Sequence, residues 1–145
     1  MTRVEIIAIL ALIISMISLG FSAYFGLRDR GRLRATSRFF PASEHGPIRI
    51  VVTLVNTGRR PILLRLIGGS DGKGKWSGHY LGDDKTGLRL GEHERHELTL
   101  EREDLVFFHP EDDDFIYETL WVEDSLGRRH AVRDGKINIR RVWTN

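Results

Sequence analysis

One long apolar run near the start constrains this chain more than any other feature. From Ile6 to Leu27 (IIAILALIISMISLGFSAYFGL) 22 residues pass without a charge. As a helix they span about 33 Å, enough for the ~30 Å hydrocarbon core of a bilayer. The apolar region of a secretory signal is shorter, about 7–15 residues. Small residues would allow cleavage after Gly20 or Ala23, but Phe21, Tyr24 and Phe25 crowd those positions. Tyr24 and Phe25 suit an interfacial aromatic belt instead. The segment is therefore read as an uncleaved anchor, with a cleaved export signal as the alternative.

The flanking charges set an expected orientation. Only Arg3 and Glu5 precede the run, whereas Arg28, Arg30, Arg32, Arg34 and Arg38 follow it against a single Asp29. Cytoplasmic flanks of spanning helices carry the excess of Arg and Lys. The expectation is a single-pass inner-membrane (cytoplasmic-membrane) protein with its N-terminus outside and its domain in the cytoplasm. If these arginines simply bind headgroups on whichever side they lie, they fix no orientation, and the alternative is a domain on the extracytoplasmic side.

Within the run, Ala8, Ala11, Ser15, Ser18 and Ser22 recur at spacings of three and four, which places them on one helical stripe. Small residues let helices approach closely in lipid, and serines add modest interhelical hydrogen bonds. The stripe reads as a packing face for self-association or a partner helix. The alternative is that Ala and Ser are merely tolerated there.

Beyond Arg34 the pattern changes to a two-residue alternation, which predicts strands. The chain divides into a tail and transmembrane helix (1–27), an Arg-rich linker (28–32) and a β-domain (33–145). Leu33–Phe40 reads as a first strand, and the branched-residue run IRIVVTLVN (48–56) as a half-buried second. NTGRRP (56–61) is a turn leading to ILLRLIGG, either within a hairpin or between sheets. Short strands are expected at 76–81 and 88–90, then HELTLER (96–102) with Leu98 and Leu100 on one face. EDLVFFHPEDDD allows one helical turn. FIYETLWVED (115–124) reads as one strand with Phe115, Tyr117, Thr119 and Trp121 on one face, hairpin-paired through SLGR to RHAVRD. The tail KINIRRVWTN alternates at Ile137 and Ile139, and reads as extended.

About seven short strands and no amphipathic helix predict an antiparallel β-sandwich. The segments VVTLVNTGRRPILL, LRLGEHERHELTL and TLWVEDSLGRRHAV resemble strands B–C, E and F–G of immunoglobulin-like or fibronectin type III-like modules. The layout is similar to small uncharacterised bacterial or phage-encoded proteins with one spanning helix, an Arg-rich junction and such a domain. The antibody-type cysteine pair is absent. The resemblance implies binding or spacing rather than catalysis.

Composition narrows the chemistry. The chain has no cysteine, which removes disulfides, thiolate nucleophiles and Cys-based zinc sites. A net charge of +2 is not a surface built for nucleic acid. His93 and His96 stand three apart, so in a strand they face opposite ways, and H-E-x-x-H is missing. Asp112, Asp113 and Asp114 could ligate Ca2+, but an acidic solvated loop explains them as well. GGSDGKGKWSG lacks the order of a phosphate-binding loop, and Ser70, Ser77 and Ser125 sit in no nucleophile elbow. His79, His109 and His130 are not linked to them by any spacing.

The expected function is a membrane-anchored, non-catalytic binding or scaffolding module, without cofactor, metal or small-molecule substrate. Its expected partners are the lipid bilayer and a protein, or a second copy through the helix. Contacts are assigned to loops bearing Asp71, Lys73, Lys75, Asp112, Asp113 and Asp114. The alternative is a phage- or toxin-like effector of lysis or exclusion type, in which an oligomerising helix is the active part.

Overall fold

The computed structural model describes residues 3–28, 31–44, 46–82, 86–107 and 115–144. They fall into two units, divided between Arg30 and Gly31.

The first unit is helix α1 (Arg3–Arg28). Its span Arg3–Gly26 has a mean hydropathy of 2.5, long and apolar enough to cross a membrane, and no part of it is buried in protein. Apolar side chains surround it on all sides, the pattern of a membrane span or of a fully buried helix.

The second unit is an antiparallel β-sandwich. β1 (Leu33–Phe40), β2 (Arg49–Asn56) and β6 (Arg95–Glu101) form one sheet in the order β1-β2-β6. β3 (Ile62–Ser70), β4 (Trp76–Tyr80), β9 (Thr119–Asp124) and β10 (Arg129–Ala131) form the other in the order β10-β9-β3-β4, and β5 (Leu88–Leu90) pairs with the start of β3. The turn after Asn56 therefore passes between sheets. Strict alternation in β2 buries Ile50, Val52, Leu54 and Asn56 on one side. These meet Leu64 and Ile67 of β3, Leu90, Leu100, Leu120 and Val122 in one core. Val52, Leu54, Leu64 and Val122 have no exposed surface, so each is worth roughly 2 kcal/mol of burial.

Two expectations are corrected. The tail is not extended: Gly135–Thr144 forms helix α2, which buries Gly135, Asn138, Ile139 and Val142. That spacing of i, i+3, i+4 and i+7 is helical, and the alternation at Ile137 misled because Ile137 points to solvent. The helix is amphipathic and packs against β1 and β9. Asn138 ties it down by donating from Nδ2 to Ser37 Oγ at 2.9 Å.

The second correction concerns 115–124, which is not one strand. β8 (Phe115–Ile116) pairs with β7 (Val106–Phe107) in a separate two-stranded ribbon, and β9 begins only at Thr119. Tyr117 N–H is diverted to Leu105 O (3.1 Å) and Glu118 N–H to Ser70 O (2.7 Å). The break puts the Tyr117 ring inside, over Gly69, where a side chain would collide with it. Among the described residues the strands number ten rather than about seven, the additions including the two-residue β7 and β8. The helical turn expected in EDLVFF is a 3-10 turn at Glu103–Leu105.

Candidate functional site

Chain direction gives the sandwich two unlike ends. At one end lie the start of β1, the β2–β3 turn, the β5–β6 turn and the β9–β10 turn. The β3–β4 loop and the start of β9 lie at the other.

At the second end a cavity of about 770 Å3 opens between the β3–β4 loop, β8 and α2. Its walls are apolar, from Phe115, Ile116, Tyr117, Ile139 and Trp143, and its rim carries Asp71, Lys73, Lys75, Glu118 and Arg140. That size and mixture suit a ligand group or a partner's side chains. The loop is held rigidly: Asp71 Oδ1 accepts the N–H of Lys73 (2.8 Å) and of Lys75 (3.1 Å). Such an Asx-type turn satisfies backbone donors without secondary structure. Glu118 lies 3.7 Å from Lys136, which is outside the cavity lining. Arg102 donates to Val142 O at 2.7 Å and stacks on Trp143 at 5.0 Å, which fixes the end of α2 that forms the wall.

Two polar atoms in this wall stand out. Trp143 Nε1 is buried without a hydrogen-bond partner, and so is the Tyr117 hydroxyl. Burial raises the Tyr117 phenol above its ordinary 10.0; the Ser77 hydroxyl nearby pulls the other way, short of a well-formed bond.

The outward face of the larger sheet bears an aromatic and cationic cluster. Arg129 lies over both Trp121 (4.1 Å) and Trp76 (4.3 Å), and the two indoles meet edge to face at 5.8 Å. Gly68 makes this possible, since a Cβ there would come within 2.8 Å of the Trp121 ring. Trp121 is almost wholly covered, whereas Trp76 remains 52% exposed and Tyr80 54%.

The first end is organised by two buried polar side chains. Asn56, with no exposed surface, donates from Nδ2 towards the carbonyls of Arg60 (2.7 Å), Gly91 (2.9 Å) and Leu90 (3.2 Å). Its Oδ1 accepts Gly58 N–H at 3.0 Å and Arg32 N–H at 3.4 Å. One residue thus ties the start of β1, the β2–β3 turn and the β5–β6 turn together. Asp124 does the same for the β9–β10 turn, accepting Leu126 N–H and Arg128 N–H at 2.9 Å each and meeting His130 Nε2 at 3.0 Å. Burial acts to raise its pKa, but His130 and the two N–H groups outweigh it and hold the carboxyl below 3.8.

The residues singled out in the sequence fall as follows. Ala8, Ala11, Ser15, Ser18 and Ser22 are exposed on α1, and Ser15 Oγ donates to Ala11 O at 2.8 Å within the helix. Tyr24 and Phe25 are exposed near its end, 5.6 Å apart edge to face. Arg28 is the last helical residue, while Arg32 and Arg34 belong to the sandwich unit. Asp71, Lys73 and Lys75 converge on the cavity. Arg30, His109, Asp112, Asp113 and Asp114 lie outside the described residues. His93 sits in the β5–β6 turn with φ 56° and His96 lies on the half-buried side of β6. Among the described residues no three His, Asp or Glu side chains converge as metal ligands would.

Sequence reasoning missed the inner walls, Phe115, Ile116 and Trp143, and Arg140 on the rim. Ile139 and Trp143, four apart, carried a helical signal for one wall. The sequence matches no known protein family, and comparison with curated proteins likewise yields no match.

Proposed function

We propose that this chain is a membrane-anchored, non-catalytic binding module that displays a β-sandwich at the inner-membrane surface, on the cytoplasmic side, for contact with a protein partner. The carrying observation is the cavity of about 770 Å3, in which three loop residues chosen from sequence meet an apolar interior. A concave apolar site with a few charged groups on its rim is how a binding module offers an anchor pocket. The exposed Trp76 and Tyr80 extend that surface with residue types favoured at interfaces. Tethering adds effective concentration, so a weak contact suffices.

The strand orders β1-β2-β6 and β10-β9-β3-β4 support the immunoglobulin-like or fibronectin type III-like reading, with the β2–β3 passage between sheets where strands B and C require it. The sequence resemblance supports a bacterial or phage origin. The excess of arginines after α1 supports the cytoplasmic side.

A second reading has one observation behind it: the Ala/Ser stripe on α1 is fully exposed, which leaves it open to another helix. The two separate in one comparison. Site-specific photocrosslinking from Lys73 in the membrane-inserted full chain should trap a defined protein, and Ile116→Asp should abolish the product. Crosslinking unchanged by Ile116→Asp would remove the cavity reading. Membrane depolarisation by expression of residues 1–34 alone would favour the effector reading.

A further inference from the structure

We propose that the first end of the sandwich is a second membrane contact, built for anionic lipid. The proposal rests on the anchored reading above. It concerns residues far apart in sequence that the fold gathers where the chain leaves the anchor.

Arg28 ends α1 and Gly31 begins the sandwich unit, so at most about 11 Å of extended chain separates them. Whichever surface the domain shows elsewhere, its Gly31 end stays within reach of the headgroups. That end is stitched into one piece. Thr57 N–H donates to Arg32 O at 2.7 Å, Asn56 joins Arg32 to Arg60, and Ser125 N–H donates to Leu63 O at 2.8 Å. Three loops are thereby locked together.

The charges they carry are mainly positive and outward. Arg32, Arg59, Arg60 and Arg128 are exposed there. Among the described residues the acidic groups at this end are Glu92, Glu94 and Asp124, and each has a local partner. Glu94 Oε2 accepts Gly91 N–H at 2.5 Å, Glu92 lies 3.6 Å from His93, and Asp124 is buried under its own turn. Among these arginines Leu126 stands at the tip of the β9–β10 turn, 73% exposed. Gly127, with φ 74°, forms the turn that presents it. Basic side chains around a protruding aliphatic group fit an anionic headgroup layer: arginines meet phosphates, and the leucine enters the acyl boundary. Cytoplasmic leaflets carry that charge. A membrane clamp of this kind would hold the opposite end, with its cavity, facing away from the lipid.

The absence of cysteine allows a clean test on the full chain. Single variants Ser125→Cys and Lys73→Cys, each labelled with an environment-sensitive fluorophore, are reconstituted into phosphatidylcholine vesicles with and without phosphatidylglycerol. The label at 125 should shift to the blue and brighten roughly two-fold when phosphatidylglycerol is present, while the label at 73 stays water-like. Adding Arg59→Glu and Arg128→Glu, or Leu126→Ser alone, should return the label at 125 to its phosphatidylcholine value. A label at 125 that ignores phosphatidylglycerol, or one at 73 that responds equally, overturns the clamp. Failure of the protein to float with either vesicle overturns the anchor itself, and the clamp with it.

Discussion

The two ends of the sandwich are made by opposite means. At the end where β1 begins, polar side chains are buried and the turns are tied to their neighbours: Asn56 and Asp124 together engage seven backbone groups. At the cavity end, apolar side chains line open space, and Tyr117 and Trp143 carry buried polar atoms without hydrogen bonds. A buried polar group satisfied on all sides rigidifies what it touches, while an unsatisfied one costs stability. The difference assigns rigidity to the end where β1 begins and leaves an open apolar cavity at the other.

That contrast can be broken most severely at Asn56. Asn56→Ala leaves three carbonyls and two N–H groups without their partner, and should cost about 3 kcal/mol or more in urea unfolding of the full chain in micelles. Ile116→Asp at the cavity should change the same midpoint by less than about 0.5 kcal/mol. Equal effects would erase the distinction between the ends.

Next in size is Gly69→Ala, which drives a methyl group into the Tyr117 ring and the Thr119 carbonyl. Overpacking of this kind should cost about 1–3 kcal/mol, with loss of near-UV signal from the Tyr117 environment. A neutral result would mean that the break between β8 and β9 is soft.

Acid should weaken the β9–β10 turn. The folded pKa of Asp124 lies below its ordinary 3.8, so its contribution is fully present above that value and is lost as pH falls through the lower folded one. Thermal midpoints of the parent chain should drop in that range, and Asp124→Asn should flatten the part of the drop due to this group. Parallel curves for the two proteins would show that the β9–β10 turn is not stabilised by that charge. A modest effect is expected for Arg102→Ala, about 1 kcal/mol, through the loss of the Val142 carbonyl bond and the stacking on Trp143. Hydrogen exchange should then quicken in the last turn of α2 alone.

Much of the sandwich was legible because alternation in β1, β2 and β6 reports one buried side directly, and Leu33–Phe40 forms the first strand as read. The α2 segment was illegible to the same logic. Its buried set, Asn138, Ile139 and Val142, includes a polar residue, while Ile137 supplies a false alternation on the exposed side. The break at Tyr117 depends on Leu105 and Ser70 as backbone acceptors, which no local pattern reveals. Half the candidate site was readable as a turn of Asp71, Lys73 and Lys75. The other half needed α2 and β8 brought across from elsewhere in the chain. Asn56 looked like an ordinary turn residue, and only the fold makes it the hub of one end.

The anchor carries the rest of the account, and it is tested most directly by fractionating cells that express the chain with a C-terminal tag. The account predicts full-length protein that stays in the membrane pellet after alkaline carbonate extraction, with the tag digested by external protease only once the inner membrane is opened. A shortened, carbonate-soluble product, or a tag cut in intact spheroplasts, would contradict it.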